Sequence, residues 1–426
     1  MRRSEFLKAA ALGALLPGVA HIAAGAPLST PSRPAWPGDM ADGEEFWKFV
    51  RAQFPLTTDR VYLNTGGLGA SPYAVIDTVK ARMDEFEKIS ETGHSEQLWK
   101  EIKESLGKFL GCDADELAFT RNTTEGVNIV ANGFPLKPGD EIITSTHEHV
   151  GNAINWLHLT QRTGAVLRLF EPSTTSAAGN VDRIRALMNR KTRVISIPHA
   201  TTTTGQVMPV RDIADLAHSR TVWLFVDGAQ TAGMFPFNLH DLGCDAYATS
   251  GHKWMLGPKE TGLLYVRKEM LDVIQAKHIG AYSDGGFDFL KGTMKLNPTA
   301  QRYEYGTVSI PLRAGLAAAV AFLQRIGMER VWKRDQALAQ RLFDGLMAIP
   351  DVTVLSPHNP AERSAMITFM HAKVPYLDVQ KHLNTFNLRT RGVSEGGLAA
   401  LRISLHVYNS FDEVDTVLEG VRTVRS

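Results

Sequence analysis

From Val61 onward the chain alternates short apolar runs with amphipathic stretches of helical period, and this alternation limits the fold more than any other feature. Apolar runs separated by amphipathic helices are the pattern of repeated strand–helix–strand units, which build a parallel sheet with helices on both faces. The runs include Glu116-Leu117-Ala118-Phe119-Thr120, Glu141 to Ser145, Ala165 to Phe170, Arg193 to Ile197 and Val222-Trp223-Leu224-Phe225-Val226. Ala246 to Ser250 and Thr261 to Arg267 continue the series. A strand this apolar on both faces is buried, so a charged residue at its carboxyl end lies in the crevice where such sheets bind ligands. Val226 is followed by Asp227-Gly228-Ala229-Gln230, and Ser250 by Gly251-His252-Lys253-Trp254. An acid and a lysine converging on one crevice suit pyridoxal 5′-phosphate (PLP): the lysine forms the Schiff base, and the acid keeps the pyridine nitrogen protonated so that the ring acts as an electron sink. Taken singly, either residue reads as a strand-end cap or a surface charge.

Other polar groups fall in register with that pair. Thr123 and Thr124 in Thr120-Arg121-Asn122-Thr123-Thr124-Glu125-Gly126 stand where a strand passes into a helix, whose free N–H groups and dipole favour an anion. They form a candidate phosphate cup, with Ser250 and His252 as further donors, although a threonine at a helix start is by itself only a cap. His149, in His147-Glu148-His149-Val150, can lie flat over the cofactor ring, and Gln230 can reach its phenolic oxygen.

The series Thr123-Thr124, His149, Asp227-Gly228-Ala229-Gln230 and Ser250-Gly251-His252-Lys253 resembles the class V aminotransferase family of fold-type I PLP enzymes, over nearly everything from Val61 to the carboxyl terminus. The resemblance implies an α/β fold: a large domain with a mostly parallel seven-stranded sheet flanked by helices, and a smaller α+β carboxyl-terminal domain. It implies that Gly306-Thr307, in Tyr303-Glu304-Tyr305-Gly306-Thr307, reaches the phosphate of a partner subunit, making a homodimer with shared sites. It also implies that Arg402 grips the substrate carboxylate, with Asn64 as a further substrate contact; a guanidinium fork matches a carboxylate. Arg389 and Arg391 can swing into the same mouth, and Arg391, which has no clear counterpart in the family, is a further candidate substrate contact. The stretch Tyr62 to Gly69 is closer to the isopenicillin-N-epimerase-like branch than to the cysteine desulfurases. Two departures stand out. The desulfurases carry a nucleophilic cysteine before the carboxylate-binding arginine, whereas Arg389 to Gly397 here has none. The cofactor-contacting asparagine expected within His199 to Gly205 is matched by Thr202.

Size and composition agree with an enzyme of this class. A chain of 426 residues is long enough for two domains, expected here at 46–297 and 298–426. With 46 basic and 45 acidic residues, net charge +1, it has no electrostatic footprint for nucleic acid or an anionic membrane. Cys112 and Cys244 offer neither a disulfide framework nor metal-ligand spacing. At the amino terminus Arg2-Arg3 and Lys8 precede an apolar segment, Ala9 to Ala20, and the small residues Ala23-Ala24-Gly25-Ala26. This is the layout of an export signal over 1–26, of twin-arginine type although two residues separate the pair from Phe6, followed by a linker over 27–45. It implies a folded enzyme exported to the periplasm, with no stable membrane insertion once the signal is removed. The reaction expected on these grounds is aminotransferase-like, on an amino acid or an amino-acid moiety of a larger exported metabolite such as a siderophore peptide. Epimerisation, carbon–sulfur lysis and a non-catalytic role are the alternatives.

Overall fold

The computed structural model describes residues 36, 42–90, 95–173, 177 and 179–425. The expected export signal lies outside the described residues, as does most of the expected linker; the helix Glu44–Arg51 begins inside the linker's carboxyl-terminal end. Asp42–Ser426 form one compact unit.

Seven strands form the main sheet: β1 (Leu117–Thr120), β2 (Glu141–Ser145), β3 (Val166–Phe170), β4 (Thr192–Pro198), β5 (Trp223–Asp227), β6 (Ala246–Ser250) and β7 (Gly262–Val266). Their order is β1-β7-β6-β5-β4-β2-β3. The strands β6, β5, β4, β2 and β3 pair in parallel, and β7 alone runs antiparallel to both its neighbours. The fold is therefore the expected α/β architecture, with a mostly parallel sheet. Because β1 also points the same way as the parallel set, the segments leaving β1, β2, β4, β5 and β6 all emerge at one edge. The apolar side chains that made these runs legible, among them Ile143, Ile195, Leu224 and Val226, fill one core with helix residues such as Leu106 and Ile213. On the other face Val127, Trp156, Phe225 and Leu264 fill a second core.

A second, antiparallel sheet is built from β8 (Val352–Val354), β9 (Met366–His371), β10 (Arg391–Val393) and β11 (Ala400–Ser404), in the order β8-β9-β11-β10. It is covered by Leu338, Leu342, Val414 and Val417 from the helices Met328–Met347 and Phe411–Arg422. Two segments cross the expected division. Leu63 belongs to this second core, and its backbone bonds both Arg389 and Ser404. Conversely, the helix Ile310–Ile326 puts Leu316 and Val320 into the core of the main sheet. Both placements depend on partners more than 200 residues away or on the far side of the boundary, which local periodicity does not encode. Among the described residues no helix is long and apolar enough to cross a membrane.

The turn leaving β5 depends on a residue without a side chain. A Cβ on Gly228 would stand 2.0 Å from the ring of Tyr247, which is 1% exposed and whose hydroxyl meets His199 and Thr231. Gly228→Ala is expected to destabilise the protein by about 1–3 kcal/mol or more, the usual cost of overpacking. Thermal denaturation should show the loss, and Tyr247→Leu in the same chain should return part of it.

Candidate active site

Asp227 is the last residue of β5, 6% exposed, with Oδ1 accepting the Ala229 amide at 2.9 Å. Burial raises its pKa, opposed by that bond and by the charge of Lys253. Lys253 follows β6 and is 8% exposed. Burial pushes its amine down to about 8; Asp227 acts against this, while Arg402 and Arg391 add to it. An ammonium that sheds its proton this readily is a usable base and nucleophile near neutral pH. The turn carrying it is tightly packed: the Gly69 amide donates to the His252 carbonyl at 2.7 Å, and a Cβ on Gly69 would sit 1.9 Å from the Lys253 carbonyl oxygen.

Asp227 and Lys253 line a cavity of about 290 Å³ with Thr123, Thr124, His149, Thr202, Ser250, His252 and Arg391. The first turn of the helix Thr123–Gly133 faces it, capped by Asn122, whose side chain accepts the Glu125 amide at 3.0 Å. Asn122 is therefore the cap, the role that is the plain alternative for the threonines. The Thr123 hydroxyl is free of that task and meets Ser250 Oγ at 2.7 Å. His149 is the cap of the next helix, Val150–Thr163, and its Nδ1 accepts the Gly151 amide at 3.0 Å. Burial, then the charges of Lys253 and Arg391, push its pKa down to about 4, so the ring is neutral with its proton on Nε2. His252, lowered to about 4 chiefly by burial, faces the Thr261 carbonyl through Nδ1 at 3.3 Å.

Arg402 reaches toward this crevice from the second sheet. It is 1% exposed, and Nη1 donates to the Thr202 carbonyl at 2.6 Å and hydroxyl at 2.8 Å, Nη2 to Asn64 Oδ1 at 3.3 Å. These partners are all neutral, and Nε has none. Burial and the charge of Arg391 lower its pKa to about 9, Glu395 opposing. Arg391 lies directly opposite on the neighbouring strand, where like charges repel. Its Nη2 pairs with Glu395, while its Nη1 is buried without a partner. One carboxylate thus serves two guanidinium groups at the cavity's edge. An incoming carboxylate would balance them.

Gln230 stands behind the wall rather than in it. Its Nε2 donates to the Gly66 carbonyl at 3.0 Å and to Thr202 Oγ1 at 3.3 Å, and its Oε1 accepts from the Trp254 indole at 2.9 Å. The amide expected to reach a cofactor oxygen is thus engaged by the protein itself. Gly306 and Thr307 are not among the cavity-lining residues of the single chain. Thr307 is exposed, and the Gly306 amide bonds the Ala281 carbonyl. Sequence reasoning missed Glu148, a carboxyl 4% exposed that accepts from Ser145 Oγ at 2.9 Å and from Asn152 Nδ2 at 2.7 Å. Burial raises its pKa to about 8. The neighbouring His149 drew attention in its place, and nothing in the local sequence marks Glu148 as buried.

The residues present fit PLP. A buried acid can hold a protonated ring nitrogen, a lysine of lowered basicity can take the aldehyde, and hydroxyls at a helix amino terminus can hold a phosphate.

Two outcomes follow from these charges. Between about 4.5 and about 8 the folded state retains a proton on Glu148 that the unfolded state releases, so this group's contribution to stability falls as pH rises through that window. Glu148→Gln removes the titration. The melting temperature of the wild type minus that of the variant should therefore fall between pH 5 and pH 9, on the order of a few degrees. Arg402→Lys should raise KM for an amino-acid substrate about tenfold or more while cofactor absorbance is nearly unchanged, because lysine keeps the charge and loses the fork. The Glu395-paired Arg391 should tolerate the same change better in the same assay.

The family model "Aminotransferase class-V" matches residues 72–417. A cysteine desulfurase of Haloferax volcanii is 28% identical over 393 residues, covering 87% of this chain and 90% of the relative. A solved complex of the cystine C–S lyase C-DES with its product cysteine persulfide superimposes with a TM-score of 0.81 at 27% identity, covering 87% of this chain and 99% of that one. A lysine-to-alanine mutant of C-DES, with glycine covalently linked to the PLP cofactor, gives 0.81 at 26% identity over 88% and 99%. The relatives found are named cysteine desulfurases, where the Tyr62–Gly69 stretch had suggested the epimerase-like branch. The chain belongs to the class V aminotransferase family and is a PLP-dependent enzyme of the α/β fold that its strand ends foreshadow.

Proposed function

We propose that the protein is a carbon–sulfur lyase that removes the sulfur substituent from the β-carbon of an S-substituted cysteine, cystine being the test case, without passing sulfur to a thiol of its own. The observation that carries this reading is a complete lysine–acid pair in a cavity that, among the described residues, no cysteine lines. Ser394 and its neighbours occupy the loop where a desulfurase nucleophile is expected. Cys244 is fully buried at the opposite end of β6 from Ser250, and Cys112 follows the helix Glu96–Leu110. Burial pushes both thiols well above their ordinary pKa, so neither is a ready thiolate. Similarity to cysteine desulfurases and to a cystine C–S lyase favours sulfur chemistry over the transamination expected from the family name.

Bound PLP supplies an aldehyde for the substrate amine and a ring that delocalises the electron pair left at the α-carbon. The chain's own groups do the rest. Arg402 holds the α-carboxylate, with Asn64 and Thr202 fixing the guanidinium. The Lys253 amine takes the α-proton, and Asp227 keeps a proton on the ring nitrogen. Thr123, Thr124 and Ser250 hold the phosphate, and the neutral His149 covers the ring. Departure of the sulfur from the β-carbon completes the elimination. For cystine the balance is cystine plus water giving pyruvate, ammonium and cysteine persulfide, with no oxidant or reductant. The Gly306-Thr307 loop, with Thr307 exposed, fits a role at the phosphate of a second copy, as expected of a homodimer.

Holoenzyme given cystine should release pyruvate, ammonium and persulfide in equal amounts. A Cys112→Ser, Cys244→Ala double variant should keep this activity, whereas Lys253→Ala should lose it by at least about a hundredfold, the usual scale for a general base, together with borohydride trapping of the cofactor. Amino-group transfer to a keto acid without pyruvate, or loss of activity with the two cysteines, would refute the reading.

A further inference from the structure

The lysine turn is held from outside by a pair of side chains that the chemistry above does not use. Leu256, just beyond the lysine, has φ 61°, a left-handed conformation costly for a branched residue, so the turn persists only because its surroundings fix it. Three successive carbonyls show how. That of His252 accepts the Gly69 amide at 2.7 Å, and that of Lys253 accepts the Leu256 amide at 3.1 Å. That of Trp254 faces a side chain, His406 Nε2, at 3.1 Å. His406 Nδ1 in turn meets Asp335 Oδ2 at 2.8 Å, and both side chains have no exposed surface. Asp335 Oδ1 has no partner, so the carboxyl is committed to the imidazole.

The proton inventory of this chain of contacts is fixed by its acceptors. A carbonyl cannot donate, so Nε2 must carry a hydrogen. One further proton is then shared between Nδ1 and Oδ2, as imidazolium with carboxylate or as imidazole with carboxylic acid, and the pair is neutral overall in either form. We propose that Asp335 and His406 are positioning residues for Lys253: the carboxyl selects the ring form that bears hydrogen on Nε2, and that hydrogen pins the Trp254 carbonyl and so the direction in which the lysine side chain leaves the turn. The pair also ties the lysine to the substrate-facing strand. His406 follows Arg402 through Ser404 and Leu405, whose amides are held by the Leu63 and Ala365 carbonyls. The Trp254 indole holds Gln230, which bonds Thr202, the acceptor of Arg402.

The test uses the holoenzyme and compares variants that differ in the Nε2 hydrogen. Asp335→Asn keeps it, because the amide can donate to Nδ1 and leave the neutral ring protonated on Nε2. His406→Phe removes it. In Asp335→Leu the ring is free to adopt the other form and turn a bare nitrogen on the carbonyl. The readouts are circular dichroism in the cofactor absorption band, which follows the orientation of the lysine-bound ring, and kcat and KM on cystine. Expected are an altered dichroic band in His406→Phe and Asp335→Leu with kcat about tenfold lower, the scale of one lost hydrogen bond, and KM within about threefold. Asp335→Asn should match the wild type in both. The proposal is overturned by a wild-type band in His406→Phe, or by Asp335→Asn as damaged as Asp335→Leu; the latter comparison decides alone where His406→Phe does not fold. The dichroic readout is independent of the substrate, so failure of the cystine reaction would count against the carbon–sulfur reading and leave this one standing or falling by its own spectrum.

Discussion

A carboxyl buried at the end of a parallel strand is the constraint on which the rest of this site depends. Ionised and unanswered, Asp227 would be costly, and burial accordingly favours its protonated form. Lys253 suffers the opposite pressure in the same crevice, where burial favours the free amine. The two charged forms support one another, which holds Asp227 nearer to its ionised state, while at Lys253 burial outweighs that support and leaves the amine easily freed. That balance requires both strand ends to open at one edge. The register Asp227 to Ala248 between β5 and β6 secures this before any loop is placed.

The second sheet supplies what the first cannot. Helix amino termini and strand ends of the main sheet offer hydroxyls and amides suited to a phosphate and an acid suited to a ring nitrogen, but, among the described residues at the cavity, no guanidinium suited to a carboxylate. Arg402 comes from β11 and crosses to Thr202, in the segment leaving β4. A buried guanidinium with only neutral partners is stabilised far less than one facing a carboxylate. The structure tolerates this because Thr202, Asn64 and the close approach of Gly66 surround it with acceptors and leave no bulk. A carboxylate would be a stronger partner for Arg402 than any of these neutral acceptors.

Legibility in the sequence followed how local each signal is. The buried strands of the main sheet could be read because each is a contiguous apolar run. Asp227 and Lys253 could be read because a charge closing such a run is carried by the strand itself to the crevice at the sheet's edge. Leu63, packed beneath the second sheet, could not be, since its partners lie at Arg389 and Ser404. The same holds for the His406–Asp335 contact, which joins a loop after β11 to the middle of the helix Met328–Met347. Gln230 was readable as part of the crevice but not as a group already engaged, because its three partners come from distant segments. The branch suggested by Tyr62 to Gly69 shows the same limit: that stretch touches the site through Asn64 and Gly66, and a short contact segment does not determine the reaction.

On the proposed carbon–sulfur reading, the fate of the sulfur turns on the lack, among the described residues, of a competitive acceptor at the cavity. In an elimination the departing sulfur leaves with the bonding electron pair, so a good leaving group suffices and no enzyme nucleophile is needed. Capture by an enzyme thiolate would require a thiol of low pKa beside the β-carbon, and Cys112 and Cys244 do not line the cavity and are shifted the wrong way. A free cysteine would have to expel hydrosulfide unaided, whereas a disulfide expels a persulfide anion, which is the weaker base and leaves more readily. Within one binding mode, then, a chain lacking the thiol is biased by leaving-group chemistry alone toward substrates whose sulfur is already substituted.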